Sequence, residues 1–261
     1  MTPDLDALDQ QRTRWAVERR RANLLADLVD DETFATGGLG ARVPGLSARI
    51  MILPIDPLAH KVTFDEELAA WWAADHPDPI LGGAMDWGND RRLTAEAFLR
   101  GQRFDGNAWY RYVALHRNGA IDVGLSDEGG LSRDERRFVL LTPLVARIWA
   151  SVEMFRRSAE RIGLGGPVEF SIGIRNTGGA RLSALAQGWN EAYDWRAGRE
   201  CQDRALLLRR ELLAVDEVSP KTLAFDIGRQ VENAFGSAEQ RFIARDGQHQ
   251  GQIDPRHCRW G

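Results

Sequence analysis

Hydrophobic and polar positions alternate most regularly in the stretch from Trp109 to Leu125, WYRYVALHRNGAIDVGL. Two strand-forming runs flank Asn118-Gly119, a dipeptide suited to the positive φ angles of a type I′ turn. A two-residue turn there would pair Arg117 with Ala120, His116 with Ile121 and Leu115 with Asp122. Strand alternation then predicts Tyr112, Ala114, His116, Ile121, Val123 and Leu125 on the inward face. Arg111, Val113, Leu115, Arg117 and Asp122 fall on the opposite face.

Other stretches carry their own periods. Ala48 to Leu53 is a continuous apolar run, which predicts a buried strand. Leu93 to Phe104 reads as one strand feeding the hairpin, and a further strand is expected near Arg204 to Leu213. Val168, Phe170, Ile172 and Ile174 alternate with Glu169, Ser171, Gly173 and Arg175, the pattern of a half-buried strand. Val145, Ile148, Val152, Phe155, Ala159 and Ile162 recur at helical spacing, opened by Thr142-Pro143 and closed by Gly163, Gly165 and Gly166. Phe138 to Leu141 fits a short strand or a helix start. Thr63 and Glu66 form a capping box before a short helix with Trp71 and Trp72. Ser219-Pro220 opens a last helix that runs to about Phe235.

Strands joined by tight turns, with few helices between them, predict an α+β fold. The expectation is an antiparallel sheet with helices packed mainly on one face, preceded by an N-terminal amphipathic helix. Residues 1–32 form that helix, 46–236 a single domain and 237–261 a polar tail.

Thr2-Pro3 opens the N-terminal helix, and Leu8, Trp15, Ala22 and Val29 recur along it every seven residues. Such a stripe suits docking onto a partner helix, and it also suits folding back onto the chain's own sheet. Arg12, Arg14, Arg19, Arg20 and Arg21 lie beside it, so Arg12, Arg19 and Arg20 are candidates for nucleic-acid contact. Interspersed Asp4, Asp6, Asp9, Glu18 and Asp27 give the same helix the composition of a solvated face.

The chain has 261 residues, 43% of them hydrophobic, enough for a substantial core. A net charge of −4 exerts no general pull toward nucleic acid or an anionic membrane. No apolar run reaches the roughly 20 residues of a membrane span, and MTPDLDALDQ lacks a signal-peptide core. Two distant cysteines, Cys201 and Cys258, fit a reducing, cytoplasmic setting.

Catalytic templates find little purchase. Lys61 and Lys221 are the only lysines, and Ser219-Pro220-Lys221-Thr222 lacks the glycines of a phosphate loop. The loop Gly37-Gly38-Leu39-Gly40 follows a helix and opens a strand, the reverse of a dinucleotide-binding turn. Cys258 has His257 beside it, and Asp246, His249 and Asp254 add metal-ligating types, but no standard spacing results. Asp75, His76 and Asp78 are a similar unspecific group, and His116 is expected to be a hydrogen-bonded rim histidine. The residues thus predict no catalytic site, metal or cofactor.

Six segments in order carry a resemblance: RANLLADL, RIMILPIDPL, RLTAEAFLRG, YVALHRNGAIDVGL, LGGPVEFSIGIRNTGGARL and NAFGSAEQRFIARDG. Together they resemble the region downstream of the nucleic-acid-binding domain in bacterial Schlafen/AlbA-type proteins, a group also described as ATP-binding or DNA-binding-domain proteins. The AlbA-type domain itself has no counterpart in the sequence, so no family site is carried onto any residue. The resemblance implies a non-catalytic accessory or interaction domain. It would work with a nucleic-acid- or nucleotide-binding partner protein and associate with nucleic acid through it. The alternative is a small nucleic-acid-processing enzyme with an acidic site that no template matches.

Overall fold

The computed structural model describes residues 46–55, 62–79, 84–85, 87–94, 97–103, 109–126, 138–183, 200–212, 214–215 and 219–236. The stripe Leu8, Trp15, Ala22 and Val29 and the arginines beside it lie outside them, as does the polar tail.

Among the described residues nine strands and three helices follow in chain order: β1 (Ser47–Pro54), α1 (Glu66–Ala73), β2 (Asp90–Leu93), β3 (Ala97–Arg103), β4 (Trp109–His116), β5 (Ile121–Ser126), β6 (Phe138–Leu140), α2 (Leu141–Ile162), β7 (Val168–Arg175), β8 (Arg181–Ser183), β9 (Ala205–Leu212) and α3 (Pro220–Ala234). Seven strands form one sheet in the order β2-β3-β4-β5-β1-β7-β9, antiparallel at every pairing. Strands β6 and β8 make a small parallel pair apart from it. The fold is therefore α+β with a large antiparallel sheet, as the periodicity predicts.

The first strand ends up in the middle, between β5 and β7. Its eight residues are all buried, as are those of β5 and β7. The half-buried strand expected at Val168–Arg175 is thus covered on both faces. On one face Ile50, Ile52, Val113, Leu115, Ile121, Val123, Phe170 and Ile172 join a single core with Leu144, Val145, Ile148, Val152 and Phe155 of α2 and Leu223, Ile227 and Val231 of α3. Burying each such side chain stabilises the fold by about 1.5–3 kcal/mol, before chain entropy is counted.

The hairpin departs from its expected register. Leu115 pairs with Ile121, Ala114 with Asp122 and Val113 with Val123. The His116 carbonyl accepts from Gly119 N–H at 2.9 Å, and His116 N–H donates to the Ala120 carbonyl at 2.9 Å. The loop therefore holds three residues, Arg117, Asn118 and Gly119, and Gly119 takes the left-handed conformation at φ +79°. Asn118 does not, so the type I′ expectation is wrong; this is the turn-plus-bulge alternative. One residue of slip inverts the faces. Val113 and Leu115 join Ile121, Val123 and Leu125 in the core, and Tyr112, Ala114 and His116 join Asp122 on the opposite face. The reason is hydrophobic matching: this register puts Val113 opposite Val123 and Leu115 opposite Ile121.

Smaller departures have local causes. Asp65, not Thr63, caps α1, its carboxylate accepting the Leu68 N–H at 2.7 Å. Helix α2 begins directly after β6 and has no side-chain cap, so Thr142-Pro143 lie inside its first turn. Its end is as expected: Gly163 is left-handed at φ 66° and Leu164 N–H reaches the Ala159 carbonyl at 2.8 Å. Leu164 and Ile162 then pack against Gly119, seating the hairpin turn on the helix end. Ser219 caps α3, with Pro220 in its first turn. The strand expected from Leu93 to Phe104 is β3, while Leu93 itself ends the separate strand β2, the two joined by a turn at Thr94, whose N–H donates to the Ala97 carbonyl. That turn has no glycine, proline or asparagine to announce it.

Candidate functional site

The second face of the sheet carries the charged groups. Across its centre one row of neighbours reads Gly101, Tyr112, Gly124, Arg49, Gly173, Leu207 on β3, β4, β5, β1, β7 and β9. Each of the two long polar side chains stands between glycines. The Tyr112 ring lies directly over Gly124, where a Cβ would overlap it. Glycine at this position lets the ring lie across the sheet and reach the next row.

That next row holds Asp122 beside Ala114 on β4 and Met51 on β1. Asp122 is fully buried, 0% exposed. Arg49 grips it with two parallel bonds, Nε to Oδ1 at 2.9 Å and Nη2 to Oδ2 at 2.7 Å. This fork is the strongest geometry available to such a pair. The Tyr112 hydroxyl lies 3.4 and 3.5 Å from the two carboxylate oxygens. His116 Nε2 lies 3.7 Å from Oδ2, and the His116 side chain is 24% exposed.

The electrostatics follow from this packing. Burial alone would push the Asp122 carboxyl up, but the Arg49 guanidinium and His116 outweigh it and hold it well below the usual carboxylate range. Asp122 is therefore an anion. Burial, then the Asp122 charge, push the Tyr112 phenol well above its ordinary value, so it stays protonated.

A second pair repeats the design nearer the sheet edge. Buried Glu169 on β7 accepts from Arg209 Nε and Nη2 of β9, both at 2.9 Å, and from the Ser171 hydroxyl at 2.9 Å. Both clusters pin neighbouring strands in register. A carboxylate beside a histidine resembles the base-and-orienter part of a catalytic site. Here, however, the carboxylate is neutralised by a bidentate arginine, and the fourth member is a phenol that holds its proton.

The sequence-derived candidates fare unevenly. Leu8, Trp15, Ala22, Val29, Arg12, Arg19 and Arg20 lie outside the described residues, as do Asp246, His249, Asp254, His257 and Cys258. His116 is on the polar face beside Asp122, not inward with Ile121 as expected. Cys201 is buried, its thiol directed at the Asp203 carbonyl. Among the described residues, no three histidine, cysteine, aspartate or glutamate side chains gather as a metal site would require. No described helix is long and apolar enough to cross a membrane. Arg49, Asp122, Tyr112, Glu169 and Arg209 were not anticipated as a group. For Arg49, Asp122 and Glu169 the available signal was a charge within an apolar run, SARIMILP, IDVGLS and VEFSIGIR. Comparisons with protein-family models, curated proteins and solved structures gave no match.

Proposed function

We propose that this chain is a non-catalytic accessory or interaction module that works with a nucleic-acid- or nucleotide-binding partner protein. One observation carries the first half of that reading. The most reactive-looking group at the sheet centre, Asp122, is wholly buried and has both oxygens engaged by Arg49. A carboxylate so held cannot take up a proton near neutrality, and its geometry serves strand registration. The nature of the partner rests on the resemblance of RIMILPIDPL, YVALHRNGAIDVGL and LGGPVEFSIGIRNTGGARL to the downstream region of Schlafen/AlbA-type proteins.

The test is direct. Purified full-length protein incubated with labelled RNA, DNA and ATP and divalent metals is expected to leave all three intact. Turnover that a single point variant abolishes would overturn the reading and favour the nucleic-acid-processing alternative. Co-purification with a purified protein bearing an AlbA-type domain, with and without residues 1–32, then tests the partner. Equal failure of both forms to bind would remove that half of the proposal.

A further inference from the structure

A second buried polar group sits at the other end of the sheet, where residues 74–79 leave α1. His76 is only 7% exposed, its ring set edge-on to Trp71 at 4.6 Å between centroids. Its Nε2 atom is buried and, among the described residues, has no hydrogen-bond partner. The segment around it is tied down at several points. Arg100 of β3 donates to the Ala74 carbonyl at 2.8 Å, to the Gly88 carbonyl at 2.9 Å and to the Asp75 carboxylate at 2.9 Å. Arg91 of β2 donates to the Ala73 carbonyl at 2.9 Å, and Arg157 of α2 to the Pro77 carbonyl at 3.3 Å. Met85 N–H closes the loop onto the His76 carbonyl at 2.7 Å.

We propose that residues 74–79 form an acid-released latch, in which His76 is the sensing group and Arg100 and Arg157 supply the repulsion that opens it. A proton added to Nε2 would create a buried N–H cation with no acceptor among the described residues, in the field of the Arg157 and Arg100 guanidinium groups. The nearby anions are already engaged. Asp75 is paired with Arg100 and largely exposed, and Glu153 of α2 is shared by Arg156 and Arg157. Asp78, two residues along the same segment, has contacts of its own as well. Burial first, and then Arg157, lower the basicity of His76 from its ordinary 6.5, while a hydrogen bond to the Trp71 backbone and the Asp75 charge work the other way. A histidine buried neutral must charge when the segment opens in acid. The closed latch is therefore fully favoured above 6.5 and loses ground as pH falls through that value toward the lower one of the folded state.

Hydrogen–deuterium exchange on the full chain, corrected for intrinsic pH dependence and run from well above pH 6.5 to well below it, reads the latch. Peptides covering residues 71–87 are expected to gain exchange on acidification while those covering 109–126 do not. His76→Phe keeps a ring against Trp71 but cannot titrate, and is expected to abolish that gain. Arg157→Gln is expected to raise exchange at every pH, because a tie is lost, yet to shrink the acid-to-neutral ratio, because repulsion is lost. A purely structural role for Arg157 would leave that ratio unchanged. No acid-dependent gain at 71–87, a gain shared by the whole sheet, or a gain that survives in His76→Phe would each overturn the latch. If His76→Phe does not fold, an unchanged ratio in Arg157→Gln overturns it alone.

Discussion

The two faces of the central sheet are built from alternate residues of the same strands, yet they hold the molecule together by different physics. The face toward α2 and α3 is apolar, with Ile50, Val113, Leu115, Ile121, Phe170 and Ile172 packed into one core. Burial of that kind is non-directional and roughly additive, so it tolerates changes that keep volume and polarity. The other face is a short chain of charges and glycines, where Arg49 meets Asp122 only because β1 and β5 are in one particular register. A buried ion pair adds little stability in itself, since desolvation offsets most of its attraction. Its larger effect is to penalise every register that separates the partners. The apolar face thus supplies most of the energy of folding and sets the register, and the polar face adds a further penalty on any arrangement that separates Arg49 from Asp122.

Substitutions can break this contrast at its strongest point first. Asp122→Ala leaves the Arg49 guanidinium buried without its anion and is expected to destabilise by about 3–5 kcal/mol. Arg49→Met combined with Asp122→Leu should recover most of that loss, because no charge then remains uncompensated. Chemical denaturation of the single and double variants measures both. A double variant as unstable as the single one would show that the pair contributes energy directly.

Gly124→Ala places a methyl group where the Tyr112 ring lies. Overpacking of this kind costs about 1–3 kcal/mol. Tyr112→Ala in the same background should return part of it, and a double-mutant cycle by thermal melting would detect the coupling. Gly119→Val forces a β-branched residue into positive φ and against Leu164. Its expected cost is about 1–2 kcal/mol, and an unchanged melting temperature would contradict the left-handed turn.

The smallest effects are those of pH, and they run in opposite directions on one face. Asp122 is held below its unfolded value of 3.8, so its contribution is present above that pH and is lost as pH falls beneath it. Tyr112 is held above its unfolded value of 10.0, so its contribution is present below that pH and is lost as pH rises past it. Melting temperatures across both limits should fall at each end. Tyr112→Phe should remove only the alkaline loss attributable to this phenol.

Much of the architecture is legible in the amino-acid sequence. Strand and helix positions are set by side-chain periodicity and caps that act over a few residues, and these placed β1, β4, β5, β7, β9, α2 and α3. Gly163 was readable as a helix end because a left-handed cap is a local backbone requirement. The β2–β3 turn was not readable, since Thr94 ties it with hydrogen bonds and no glycine, proline or asparagine marks it.

The polar site was legible only as separate charges. Arg49, Asp122 and Tyr112 lie on three strands, and nothing within a few residues of any of them says which strands become neighbours. That order depends on where β1 inserts, an outcome of packing the whole sheet under α2 and α3. The hairpin shows the boundary sharply. Asn118-Gly119 suggests a turn by itself, but a two-residue and a three-residue loop differ little in local energy. Matching Val113 and Leu115 with Ile121 and Val123 across the strands decides between them, and carries Tyr112 and His116 to the face of Asp122. Sequence alone determined which segments extend and which coil, because those preferences are local. The tertiary structure determined which side chains meet, because register is settled by burial summed over strands far apart in the chain.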